Sequence, residues 1–161
     1  MSTDKNNVTL TVTILRILVG WHFLYEGIVK IYNPDWTAYG YLATAQGPFK
    51  PFFNLMLGED ILPWINILNM AALSIVGITL ILGVYERLGA IIGLGLLAIY
   101  YLAQPSFPGL AQVNVEGNYW FVNKNLIELV VCVLLFQFPT GHYFGLSNLK
   151  KQSKSLKDEM D

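Results

Sequence analysis

Apolar residues along this chain fill whole stretches rather than alternating every second position. Four blocks stand out, at 8–32, 61–82, 88–104 and 121–138, separated by segments rich in Pro, Gly, Asn and charge. Each block holds about 17–25 residues, which at a rise of about 1.5 Å per helical residue is the length needed to cross roughly 30 Å of hydrocarbon. The pattern therefore predicts an all-α membrane protein, a four-transmembrane-helix bundle, with 88–104 as its shortest span. No polar stretch of domain size interrupts the blocks, so 1–149 reads as one membrane domain and 150–161 as a charged tail with little to bury.

The connections differ in character. Segment 33–60 is long and aromatic, with Trp36, Tyr39, Tyr41, Phe49, Phe52 and Phe53 beside Pro48 and Pro51. Aromatic rings of this kind settle at the membrane–water boundary. Within it, 52–57 is apolar enough to form a short interfacial helix covering the mouth of the bundle; a simple aromatic anchor is the alternative. The second connection holds Pro105, Pro108 and Gly109, then Asn118, Tyr119 and Trp120. Its first proline disfavours helix at the preceding residue and places the end of the third helix near Gln104.

Composition agrees with the pattern. Of 161 residues, 54% are hydrophobic and 13% charged, about half the charged share of a soluble domain, and the mean hydropathy is +0.47. The net charge of −1 says less than its distribution. Lys5 precedes the first block, the Glu86–Arg87 pair joins the second to the third, and Lys150, Lys151, Lys154 and Lys157 follow the fourth. The bias of Lys and Arg toward the cytoplasm then puts both termini and the turn at 85–87 inside, and the two long connections outside. The expected location is the plasma (inner) membrane, crossed several times. The first block is longer than a signal-peptide core and no small-residue cleavage site follows it, so it reads as retained. The single cysteine, Cys132, excludes an internal disulfide and reads as a small buried apolar residue.

Against this background the charges inside the blocks need a reason, because an ionisable group near a bilayer centre costs roughly 2.5–3.5 kcal/mol on insertion scales. The first block contains Arg16, His22, Glu26 and Lys30, which at about 100° per residue share a sector of roughly 120°. The fourth contains Lys124 and Glu128 at the same four-residue spacing. Running antiparallel, the two helices bring these groups to one depth and make cross pairs Glu26–Lys124 and Lys30–Glu128 available. Asn66 and Asn69 of the second block, and Tyr100, Tyr101 and Gln104 of the third, fall in the same outer half. Arg16 stands apart, with Gln137, Ser74 and Thr79 as the candidate partners at its depth. Two readings remain open: a polar site, or charges that lock helix register. Measured polar contacts in membranes average only about 0.6 kcal/mol, a small return as glue.

Other chemistry is poorly served. Two histidines and one cysteine are too few for a zinc or iron–sulfur centre, His22 and His142 are placed apart for joint haem ligation, and no glycine-rich nucleotide loop follows a strand. Neither a metal, a nucleotide cofactor nor a nucleic-acid partner is expected, and any redox work would use a diffusible lipophilic partner.

The run Arg16-Ile-Leu-Val-Gly20-Trp-His-Phe23-Leu-Tyr-Glu-Gly27-Ile-Val-Lys30, the Asn33-Pro34-Asp35 after it, the turn Gly83-Val-Tyr-Glu-Arg87-Leu-Gly-Ala and the closing Gly141-His-Tyr-Phe-Gly-Leu146 resemble the DoxX/DoxD family. Within it the chain is similar to the DoxD branch, small membrane subunits of thiosulfate:quinone oxidoreductase. Arg16, Gly20, Phe23, Gly27 and Lys30 occupy matching positions, whereas 71–75 lacks an acidic residue that relatives often carry there. The resemblance implies a membrane subunit of quinone-linked oxidoreduction, working with a second oxidoreductase subunit and with quinone as its cofactor. Read with the polar residues, it suggests His22, Glu26 and Glu128 as catalytic proton carriers, and Arg16, Lys30, Asn69, Tyr100, Tyr101 and Lys124 as the groups that bind quinone or substrate. The competing expectations are a non-catalytic anchor that recruits another protein, and a small-solute carrier, which would need a homo-oligomer. Membrane lipid is a partner in every case.

Overall fold

The computed structural model describes residues 2–110 and 119–148. The tail expected at 150–161, with its lysine cluster, and Asn118 lie outside them. Among the described residues seven helices follow in order: α1 (Ser2–Tyr32), α2 (Tyr39–Ala43), α3 (Lys50–Leu55), α4 (Leu62–Leu82), α5 (Glu86–Ala103), α6 (Lys124–Gln137) and α7 (Gly141–Phe144). Among the described residues there is no strand, only an isolated bridge between Tyr119 and Val122.

Helix ends follow local chemistry. α4 has a proline in its first turn, where no helical N–H is lost, and it stops at Gly83, which takes the left-handed conformation at φ 64°. Tyr85 follows at φ 53° as the cap of α5, so the chain reverses within three residues. Asn123 caps α6, its side chain accepting from the Leu126 amide at 3.0 Å. α5 ends at Ala103, as the prolines beyond predict.

Three helices, α1 from Lys5, α4 and α5, are long and apolar enough to cross a membrane. α6 is shorter than its apolar block. The helix begins only at Lys124, because Tyr119 and Val122 pair their backbones in a tight turn and Asn123 is already the cap. Its 14 residues span about 21 Å.

Packing runs in a chain, α1 against α4, α4 against α5 and α5 against α6, with a lighter contact between α1 and α6. The α1–α4 seam is made of small residues. A Cβ on Gly77 would sit 2.6 Å from the Leu24 backbone, and one on Gly20 would sit 3.0 Å from Leu80 and Ile81. Such close approach maximises dispersion contact where lipid gives no hydrophobic drive. The core between the long helices is built on Phe23, Leu73, Val76, Leu80, Leu97, Cys132 and Leu135, and Cys132 is fully buried there. Ile14, Leu18, Trp64, Leu68 and Ile91 point outward instead, the inside–outside balance of helices whose surroundings are as apolar as their core.

α2 and α3 lie over one end of the bundle around a second apolar cluster of Leu42, Ala45, Phe53 and Ala103. The short helix expected at 52–57 is present two residues earlier, as α3. Gln104 fastens this cap to α5, its Nε2 donating to the Thr44 carbonyl at 2.9 Å, and the Gln46 amide donates to the Ala103 carbonyl at 2.8 Å.

Candidate functional site

Two polar clusters lie along α1, one at its middle and one in its C-terminal half. The first forms around Arg16, whose side chain is 1% exposed. Its Nη1 donates to Glu86 Oε2 and to Thr140 Oγ1, both at 3.0 Å, and its Nη2 donates to the Phe144 carbonyl at 3.0 Å. Glu86 is saturated in turn: Oε2 also accepts from the Thr140 amide at 3.1 Å, and Oε1 from the Gly141 amide at 2.8 Å. The guanidinium packs on Gly83, where a Cβ would come within 2.9 Å of it, and Ser147 donates to the Gly83 carbonyl at 2.5 Å. This clamp joins α1, the α4–α5 turn and the segment after α6. The expected partners Ser74, Thr79 and Gln137 are not used, because Ser74 and Thr79 donate back to their own helix. Glu86, read from the sequence only as a turn charge, becomes the counter-ion because the left-handed turn at 83–85 directs the start of α5 toward α1.

The second cluster surrounds a cavity of about 420 Å³ toward the C-terminal end of α1. His22, Glu26 and Lys30 line it from α1, Asn69 from α4, Tyr100 from α5, and Lys124 and Glu128 from α6, over a floor of Phe23, Leu73 and Leu97. The connection after α1 closes it with Trp36, Thr37 and Ala38, and α2 adds Tyr41. Of the nine residues singled out from the sequence, seven therefore meet at one cavity. Arg16 is held in the clamp, and Tyr101 does not line the cavity but donates to the Phe121 carbonyl at 2.7 Å.

The ion pairs differ from those expected. Lys30 bonds Glu26 on its own helix, and its ammonium lies 5.5 Å over the Trp36 ring, a cation–π contact. His22 Nδ1 lies 2.7 Å from Glu128 Oε1. That pairing is one of charge when the imidazole is protonated, for Nδ1 makes no directed hydrogen bond. The cross pairs Glu26–Lys124 and Lys30–Glu128 do not form, since α1 leans on α4 and only grazes α6. Four-residue spacing lets Lys30 reach its own Glu26 first.

Tyr100 and Tyr41 organise the far wall. Asn69 Nδ2 donates to the Tyr100 hydroxyl at 2.6 Å, and Tyr41 donates to the Tyr100 carbonyl at 3.0 Å. Burial pushes the Tyr41 phenol up, with Tyr100 adding to it, so Tyr41 remains a donor. The closing connection is pinned by Asn66, whose Oδ1 accepts from the Ala38 amide at 2.9 Å and whose Nδ2 donates to Thr37 at 3.2 Å. Asn66 and Gln104, grouped with the polar cluster by depth, thus hold the cap rather than line the cavity. Trp36, Thr37, Tyr41, Asn123 and Asn125 were not anticipated at the site. The polar run 123–125 beside Lys124 was the available signal for the last two.

Four buried polar atoms on the cavity wall have no hydrogen-bond partner among the described residues: His22 Nδ1, Asn69 Oδ1, Asn123 Nδ2 and Glu128 Oε2. Since buried polar groups are overwhelmingly satisfied, four orphans around one apolar-floored cavity mark a place shaped for a polar-edged guest. Cavities of roughly 300–1,000 Å³ with a few convergent polar groups are the usual form of small-molecule sites. Among the described residues no group of three His, Cys, Asp or Glu side chains is placed to hold a metal.

A family model described as DoxX matches residues 11–104. No curated protein and no solved structure matches the chain.

Proposed function

We propose, on the premise that the chain belongs to the DoxX family of membrane proteins, that it is a membrane subunit of quinone-linked oxidoreduction whose cavity receives a quinone ring. The observation behind this reading is the pairing of an apolar floor with unpartnered polar atoms on the walls. A flat ring with polar atoms at its edge needs that combination, and the residues present fit it.

Phe23, Leu73 and Leu97 would hold the ring faces. Tyr100 already accepts from Asn69, which leaves its own O–H to donate into the cavity. Asn123 offers a second donor and Lys124 a nearby cation for an oxygen that gathers negative charge. His22 and Glu128 form a relay able to take up or release a proton beside the ring. A quinone supplies two-electron, two-proton exchange, while the cavity side chains handle protons and charge. The electron donor is assigned to a second subunit. In this reading α6, extended by 121–123 and Phe138, completes a fourth crossing of the plasma membrane, with both termini on the cytoplasmic side and the cavity in the outer leaflet.

The test is binding of a short-chain benzoquinone to the full chain in lipid nanodiscs, read by quenching of tryptophan emission, since Trp36 lines the cavity. Saturable quenching that weakens in Tyr100→Phe and Lys124→Ala is expected. Quenching that rises linearly with quinone, as from partition into lipid alone, would overturn the reading.

A further inference from the structure

Within the reading that the cavity receives a quinone ring, its unpartnered atoms specify more than a ring. Asn123 is fully buried, and its Oδ1 is committed to the Leu126 amide as the helix cap. The orientation of the amide is therefore fixed, and Nδ2 is the orphan donor. Glu128 Oε2 is the orphan acceptor, on the same helix and the same cavity wall. An ionised carboxylate accepts and does not donate, and His22 stands 2.7 Å from the other oxygen, Oε1. The cavity thus presents an unused donor at Asn123 and unused acceptors at Glu128 Oε2 and Asn69 Oδ1.

A carbonyl oxygen at the ring edge can accept, as from Asn123, but offers nothing to Glu128 Oε2. A hydroxyl there has a hydrogen to donate to it. Leaving a buried charged acceptor unsatisfied costs more than its bond would give, so a ligand that cannot donate is penalised by the site itself. We propose that the cavity selects the reduced, hydroxyl-bearing state of the ring, a quinol, over the oxidised quinone, with Glu128 as the specificity-determining residue. Such selection places the protein on the side of the exchange that holds the product of quinone reduction or the substrate of quinol oxidation.

The experiment compares three ligands on the full chain in nanodiscs: a short-chain benzoquinol kept reduced under anaerobic conditions, its benzoquinone, and its di-O-methyl ether, which has the same ring without a donor. The quinol is expected to bind about tenfold or more tightly than either of the others, the yield of one charge-assisted hydrogen bond. Glu128→Gln, whose amide can turn an N–H toward the ligand, is expected to erase that preference while quinone still binds. Equal affinity of quinol, quinone and ether for the native chain overturns the proposal and leaves the quinone reading standing. Saturable binding of none of the three overturns both. The ranking on the native chain decides the matter even where the Gln variant folds poorly, and a folded variant that keeps the preference overturns Glu128's role.

Discussion

The two polar clusters along α1 are built from similar residues and reach opposite outcomes. In the first, Arg16 and Glu86 are dry, and every oxygen of the carboxylate is used by the protein itself. In the second, buried Asn123 and the less enclosed Glu128 keep a nitrogen and an oxygen free at a cavity. The clamp spends its polarity internally, Arg16 Nε excepted, as a structural ion pair must if it is to offset the desolvation of both charges. The cavity leaves polarity unspent, and an unsatisfied polar group is tolerated mainly where something else arrives to satisfy it.

That contrast can be broken most forcefully at the clamp. Removing one partner of a buried pair typically costs about 3–5 kcal/mol, because the other charge is left stranded. Arg16→Ala and Glu86→Ala should therefore each lower the thermal unfolding midpoint in detergent sharply, whereas the double change Arg16→Met with Glu86→Leu should recover much of the loss. Equal damage from single and double changes would show that the charges are not acting as a pair.

Next in size is the seam that holds the two clusters in register. Gly77→Leu must push α1 away from α4, since a Cβ alone would already meet the Leu24 backbone at 2.6 Å. Overpacking of this kind costs about 1–3 kcal/mol or more, read as a fall in the same midpoint.

The cavity end predicts the reverse balance of effects. Glu128→Gln should change stability by less than about 1 kcal/mol, because His22 Nδ1 makes no directed hydrogen bond to its Oε1 and Oε2 has no protein partner. Its effect should appear in ligand affinity and selectivity instead. A destabilisation as large as that of Arg16→Ala would make the second cluster another clamp and remove the distinction.

The smallest effect belongs to the closing connection. Asn66→Ala deletes two hydrogen bonds to the 37–38 backbone and side chain and should cost about 1 kcal/mol. Faster ligand dissociation at nearly unchanged association, followed by stopped-flow fluorescence, is the expected signature of a loosened cover.

How much of this was legible beforehand depended on the range of the interaction concerned. The long apolar blocks and the helix stop before Pro105 were both readable, because each follows from contacts within a few turns or from the length of a membrane. The gathering of His22, Glu26, Lys30, Asn69, Tyr100, Lys124 and Glu128 at one level was also readable, since depth in a helix is arithmetic at about 1.5 Å per residue. Pairing was not. Depth says which residues are level but not which helices touch, and α1 packs on α4 rather than α6. The partner of Arg16 was hidden for a related reason: Glu86 lies 70 positions away and reaches it only because a left-handed turn at Gly83 and Tyr85 redirects α5.

By itself, then, the sequence determined that this is a helical membrane protein of recognisable family, with costly polar groups concentrated in two places. Hydrophobic length and periodicity are local properties, and composition is enough to state them. Only the tertiary structure decided which of those groups are consumed and which are left over. Satisfaction of a buried polar atom is a property of its neighbours in space, and three ångströms across a helix interface cannot be counted along the chain.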